Sequence, residues 1–450
     1  MDNQIATTLK AAYRICELGP LSGENLDKYY EPLEKVRNTQ AVQNIGTALD
    51  FSEPGEFEKV LFTGHQGCGK STELRKLQQQ LEQNYFVIYV EATNELDIND
   101  IEYTDIYLIV IQKVATELHK LGLKLRADLR KSFEDWFKEI IQEDEKSVES
   151  TVNLEASGSA GGEIPFFMKL LLKFQSQLKG GSKHKTVIRN KLEKDFSRLQ
   201  TDINLLLKDA FDKLKTKHPK LEKGFLLIFD NLDRVNPTIS NHLFFDYASQ
   251  LKSLQVTIIY TVPIAVVYSA KNLNNSFGNP NIMPMVNIYE KSDKVDLDYN
   301  DKGIEALIIL LEKRIDLKQV FANLDDLKLL IKASGGHIRQ LMRMTAIACL
   351  TAGSRGHGRV ELEDITYAIK QEQFDFERRL LLEHYPILAR VCRSKDINRD
   401  EVGQILLSNT AVLEYNGSSR WNYINPVVKQ TKAFQDALEE VIKDGSSLIV

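Results

Sequence analysis

The run Gly64-His65-Gln66-Gly67-Cys68-Gly69-Lys70-Ser71, with Thr72 after it, constrains this chain more than any other stretch. An apolar run, KVLFT at 59–63, precedes it, and Leu74, Leu77 and Leu81 follow at helical spacing. Strand, glycine-rich turn and helix therefore occur in that order. Glycine lets the backbone curl until successive N–H groups converge on one anion, where a Cβ would crowd the ligand. The helix beginning near Lys70 adds its N-terminal dipole at the same point. Lys70 has the reach for β- and γ-phosphates, and the Ser71 hydroxyl can take one position around Mg²⁺. Residues 64–72 thus predict a phosphate cradle for a nucleoside triphosphate with Mg²⁺, ATP being the expected cofactor and GTP left open.

Such a site needs an acidic partner at the end of a buried strand beside the loop's own strand. GFLLIFD at 224–230 ends in Asp230, which is expected to hold Mg²⁺, through water, because that ion surrenders its hydration shell reluctantly. Asn231 follows it. An amide orients a water but accepts no proton, so turnover is expected to be slow. Asp233 is the nearest carboxylate for the base role; a helix cap or an ion pair with Arg234 is the other reading. Thr261 ends the strand VTIIYTV at 256–262 and either touches the γ-phosphate or bonds backbone. Arg339 and Arg343 follow the Gly335-Gly336 break and lie off the apolar stripe of the next helix. Of the two, Arg339 is the candidate to swing onto the γ-phosphate, and Arg343 fits a solvated face.

Strands at 59–63, 86–92, 224–230, 256–262 and, more weakly, 285–289 alternate with helices, which predicts a parallel α/β sheet flanked by helices. The expected units are an N-terminal segment (1–58), a P-loop core (59–296) with a helical insertion at about 97–222, an all-α lid (297–373) and a small winged-helix-like domain (374–450). In the insertion, 147–163 is small and polar and reads as a loop or hairpin. In the tail, a helix capped by Asp400 precedes a hairpin at 411–425 with an Asn416-Gly417 turn signal.

The net charge of −5 over 450 residues argues against a chain that works mainly by coating nucleic acid. Two local features keep DNA open. One is the basic run 179–194, with Lys179, Lys183, Lys185, Arg189, Lys191 and Lys194; the other is the hairpin, with Arg420, Trp421 and Tyr423. A solvated helix face and a protein-docking module are the competing readings, and 371–450 carries 10 Lys/Arg against 12 Asp/Glu. Four scattered cysteines without a C-x-x-C pair give no zinc or disulfide framework and suit a reducing cytoplasm. Cys68 reads as small filling of the loop, with a redox brake as its alternative. The most lipid-like segment, 164–174, is too short to span a membrane.

In order, GHQGCGKST, FLLIFDNLDR, IIYTVP and SGGHIRQL resemble a STAND-type or KAP-type P-loop ATPase of the AAA-like branch, from Lys59 to about Gln373. The resemblance implies a five-stranded sheet with the P-loop strand central and a nucleotide-operated switch. Such switches often form oligomers, and bacterial members commonly serve in regulation or phage defence. By the same resemblance, Lys70 and Ser71 match the Walker A pair and Asp230 the metal aspartate. Asp233 matches the distal acidic position, Thr261 the first sensor and Arg339 the second. Tyr29, Tyr30 or Arg37 sit where relatives place residues around the base; packing is the alternative. KAP proteins often carry membrane helices in the insertion and STAND proteins a long repeat sensor. Neither is visible here, so a separate protein effector or sensor is expected. The rival readings are a DNA loader of the origin-recognition kind and a nucleotide-holding structural subunit.

Overall fold

A computed structural model describes residues 5–17, 19–142, 167–172 and 183–446. The expected polar stretch at 147–163 and Lys179 lie outside them.

Five apolar runs form one parallel sheet: β1 (Lys59–Gly64), β2 (Phe86–Glu91), β3 (Phe225–Asp230), β4 (Thr257–Val262) and β5 (Asn281–Met283), in the order β2-β3-β4-β1-β5. Side chains alternate across a strand, and here the alternation divides two cores. Leu226, Ile228, Val60 and Phe62 pack under the P-loop helix, the N-terminal segment, the lid and the tail, whereas Leu227, Phe229, Leu61 and Ile258 pack under the insertion. A sheet covered on both faces explains why its strands read as unbroken apolar runs.

Three expectations about this sheet need correction. The P-loop strand is not central: β4 holds the middle, with β1 between it and β5. Asp230 is consequently not on a strand next to β1, because β4 and Thr261 intervene. The fifth strand is at Asn281–Met283, not 285–289. Met285 N–H donates instead to Glu414 O and Asn287 N–H to Val36 O, so the tail and the N-terminal segment divert the backbone that the apolar pattern had assigned to the sheet.

The insertion's helices include Tyr103–Lys120, Lys183–Lys194 and Phe196–Lys217. Among the described residues no helix is long and apolar enough to cross a membrane. The lid contributes Asp301–Glu312, Leu324–Ser334, Ile338–Arg355 and Leu362–Arg379. The tail contains the antiparallel hairpin β6 (Val412–Asn416) and β7 (Arg420–Ile424). It does not stand apart. Trp421 stacks on Tyr415 with ring centroids 4.6 Å apart, the Tyr415 hydroxyl donates to Gly335 O at 2.6 Å, and both rings belong to the core that also holds Phe62 and Leu74.

Candidate functional site: a clamped phosphate loop

The P-loop follows β1 and ends in the helix Lys70–Leu81. Every carbonyl from residue 64 to 68 accepts a hydrogen bond. Lys70 Nζ donates to Gly64 O and His65 O at 2.7 and 2.8 Å. His337 Nε2 donates to Gln66 O at 2.6 Å, and Arg339 N–H to Gly67 O at 3.1 Å. Arg37 Nη2 donates to Cys68 O at 2.6 Å. Carbonyl and N–H lie on opposite sides of a peptide, so tying the carbonyls back leaves loop amides for an anion, as a phosphate nest requires, although Cys68 N–H turns back to His65 O at 3.3 Å. Gly67 is held here at φ 83°, and a Cβ on it would lie 2.8 Å from both His337 Nε2 and Arg339 Cβ. Gly336, at φ 80°, is as tightly required: its Cβ would meet Val286 O at 2.0 Å.

Two buried histidines serve this clamp as neutral rings. His65 Nε2 accepts from Glu414 N–H at 2.9 Å while Nδ1 donates to Leu407 O at 3.1 Å, which ties the loop to the tail. His337 Nδ1 accepts from Gln340 N–H at 3.1 Å, capping its own helix, while Nε2 faces the loop. Burial lowers His65 to about 3, helped by His337. Burial likewise lowers His337 to about 4. Cys68 is buried with Sγ against Met283 O, which is the filling role.

Lys70 forms a buried ion pair with Asp233 at 2.8 Å. Burial opposes its charge, but Asp233 outweighs it and holds the ammonium above its ordinary pKa. Asp233 therefore does not pair with Arg234, nor does it cap a helix; it lies on the short turn Leu232–Arg234 with its own carbonyl accepting from Gln66 Nε2 at 3.3 Å. Asn231 is left-handed at φ 65°. Asparagine tolerates that conformation where glutamate is strained, which accounts for the residue found there.

Asp230 is buried. One carboxylate oxygen accepts from the Tyr89 hydroxyl at 2.8 Å and the other from Asn231 N–H at 2.8 Å. Burial and then Asp230 raise the Tyr89 pKa, so Tyr89 stays a donor. The Thr261 hydroxyl donates to Phe229 O at 3.1 Å and accepts from Leu232 N–H at 3.0 Å. Thr261 is thus committed to backbone and braces the turn that carries Asp233; the γ-phosphate reading of this residue is withdrawn.

A cleft of about 790 Å³ opens beside the loop. Gln66, Gly67, Gly69, Lys70, Ser71 and Thr72 line it, as do Asn231, Asp233, Arg234 and Arg339; Gly64, His65, Cys68, Asp230 and Thr261 stand behind it. Arg339 is exposed within the cleft, where desolvation first and Arg234 second lower its pKa. Arg343, at the rim, pairs with Glu372 at 2.8 Å and with Asp375. Oxygen-only donors, the open Ser71 hydroxyl and the bonded Asp230 carboxylate with lone pairs to spare, fit a hard ion that keeps its water.

Tyr29, Tyr30 and Arg37 do not line the cleft. Tyr29 packs with Leu21 and Leu26, Tyr30 donates to Glu73 at 2.9 Å, and Arg37 holds the loop and Pro284 O. The wall is formed instead by Tyr13, Ile15 and Leu21 from the N-terminal segment and by Met342 and Ile347 from the lid. Leu21 N–H donates to Thr72 Oγ1 at 3.2 Å, which fixes that segment to the P-loop helix. The helix Leu9–Cys16 broken by Gly19-Pro20 was the available signal for it.

Two cations of the basic run are committed to carboxylates. Lys185 pairs with Asp100 at 2.9 Å, and Arg189 pairs with Asp100 at 2.7 Å and with buried Asp105. In the hairpin, Arg420 pairs with Asp396 at 2.6 Å and Trp421 and Tyr423 are buried.

The family model described as the KAP family P-loop domain matches residues 38–277. No match is found among characterised proteins compared by sequence. Among solved structures, the chain is similar to the ORC2 protein of Aeropyrum pernix (11% identity, 96% of this chain and 98% of that one, TM-score 0.41). It is also similar to a Walker-type ATPase of Pyrococcus abyssi (13%, 94% and 99%, TM-score 0.43) and to Drosophila ORC bound to DNA (12%, 98% and 93%, TM-score 0.40).

Proposed function

The chain belongs to the KAP family of P-loop NTPases, and from that premise we propose that it is a slowly hydrolysing, ATP-operated switch that signals to a separate partner protein. The observation that carries this reading is the clamp. The phosphate loop hangs by its carbonyls from the lid helix, through His337 and Arg339, and by His65 from the tail at Leu407 and Glu414. A loop so tied cannot adjust to a γ-phosphate without moving both.

In this mechanism ATP enters the cleft with its phosphates against the loop amides. Lys70 exchanges the Asp233 carboxylate for phosphate oxygens, and the carboxylate so released accepts the proton of the attacking water. Asn231 holds that water without being able to deprotonate it, which supports slow turnover. Arg339, free of any carboxylate partner among the described residues, moves onto the γ-phosphate as charge develops there. Mg²⁺, when bound, neutralises phosphate charge; Ser71 would hold it directly and Asp230 through water. Residues 408–425 are the output surface, where nucleotide state alters docking of a partner or of a second copy.

The test is hydrogen exchange across residues 408–425 together with single-turnover phosphate release, with and without ATP. Nucleotide-dependent protection of the hairpin, lost in Lys70→Ala, is the expected result. Phosphate release with no change in tail exchange would sink the switch.

A further inference from the structure

The cleft's lining mixes two chemistries. Lys70, Arg234 and Arg339 are its charged part, and Asp230 and Asp233 act on both Lys70 and Arg339. Tyr13, Ile15 and Met342 add apolar lining, and a further cation is buried in the same wall. Arg314 follows the helix Asp301–Glu312, is 7% exposed, and lines the cleft. The groups that act on it are Cys16 and Tyr29, not Asp230 or Asp233. Its Nη1 donates to Leu310 O at 2.7 Å, and its guanidinium lies 5.8 Å from the Tyr29 ring centroid. No carboxylate pairs with it among the described residues.

A buried guanidinium without a counter-charge is costly unless its donors find acceptors. One of its five N–H groups is used by Leu310 O. Desolvation lowers its pKa, yet an arginine stays protonated at neutral pH. The remaining fork is therefore a fixed, donor-only edge set among apolar walls. A flat heterocycle with an acceptor on its rim matches both features: the walls cover its faces and the fork meets its edge. Every purine carries the N7 acceptor on that edge; guanine sets O6 beside it and can take both arms of the fork, whereas adenine sets its N6 amino donor there and offers the fork N7 alone.

We propose that Arg314 is a base-reading residue, donating to N7 of the purine of a bound nucleoside triphosphate. This rests on the nucleotide-binding reading above and extends it from the phosphates to the base. Arg314 is a specificity residue: Asp230 and Asp233 do not act on it, and it takes no part in hydrolysis.

The experiment compares binding of ATP and 7-deaza-ATP, in which a C–H replaces N7, by wild type, Arg314→Met and Lys70→Ala, using the full chain. Wild type is expected to bind the deaza analogue about tenfold more weakly, in keeping with a hydrogen bond to a charged group. Arg314→Met is expected to bind ATP about tenfold more weakly than wild type and to distinguish the two ligands no longer. Equal binding of ATP and 7-deaza-ATP by wild type, abolished in Lys70→Ala, overturns the role of Arg314 while leaving the nucleotide site intact. A preference for N7 that persists in Arg314→Met overturns it as well. Absence of any ATP binding by wild type overturns both readings. The wild-type arm needs no variant, so a misfolded Arg314→Met leaves the decision standing on N7 alone.

Discussion

Arg189 and Lys185 in the insertion and Arg314 and Arg339 in the cleft are the same chemistry put to opposite uses. The first pair is closed on itself: Asp100 and buried Asp105 take its charge, and nothing is left for a ligand. The second pair has no carboxylate partner among the described residues and lines a cavity. A basic run in a sequence is thus no guide to anion binding until its counter-charges are located. The cleft holds three arginines without a carboxylate partner among the described residues, Arg234, Arg314 and Arg339, and one ion-paired lysine, Lys70 with Asp233.

Breaking each side of this comparison has a different signature. The largest stability effect is expected for Arg189→Met, which strands Asp105 in the core; loss of about 3–5 kcal/mol is expected in denaturant unfolding, with ATP affinity of the folded fraction unchanged. If affinity fell and stability did not, the division between structural and ligand-facing cations would be wrong. Arg339→Ala should do the reverse, reducing single-turnover phosphate release by about 10²–10³-fold while unfolding stays within about 0.5 kcal/mol of wild type. Asp233→Asn sharpens the contrast within the cleft. It leaves Lys70 without its internal anion, so ATP is expected to bind at least as tightly as to wild type while phosphate release stalls; equilibrium binding beside rapid-quench release checks it.

The neutral histidines supply a pH test of the clamp. Their folded values, about 3 for His65 and about 4 for His337, lie below the ordinary 6.5 of the unfolded chain. Between 6.5 and 4 the unfolded chain binds the extra protons, so stability is full above 6.5 and falls as pH drops. Each histidine contributes at most about 1.4 kcal/mol per pH unit in that window. Replacing His65 by Gln should flatten the melting temperature against pH by one proton's share. The smallest effect is expected for Lys194→Ala: an exposed side chain in the basic run, whose loss should leave both stability and any salt-dependent DNA retention unchanged within error. A clear fall in DNA retention would reopen the loader reading.

Local order made much of this site legible. A glycine-rich turn between an apolar run and a helical stripe involves residues within a few positions of one another, so Lys70, Ser71 and the parallel sheet follow from spacing alone. Asp230 was equally readable as a residue at a strand end. The errors share a cause. The strand expected at 285–289, the base-side role of Tyr29, Tyr30 and Arg37, and the γ-phosphate contact of Thr261 all depended on partners distant in sequence. Met285 bonds Glu414, Arg37 bonds Cys68 and Pro284, and Thr261 bonds Phe229 and Leu232.

The sequence by itself determined that a nucleotide cradle forms, because curled glycines, a reaching lysine and a helix N-terminus are local properties. Tertiary structure decided which strand is central, which cations keep their charge for a ligand, and what holds the loop from behind. Those outcomes depend on backbone carbonyls and carboxylates brought together from positions up to 342 residues apart, and burial, which makes each such partner obligatory, exists only once the two cores have closed.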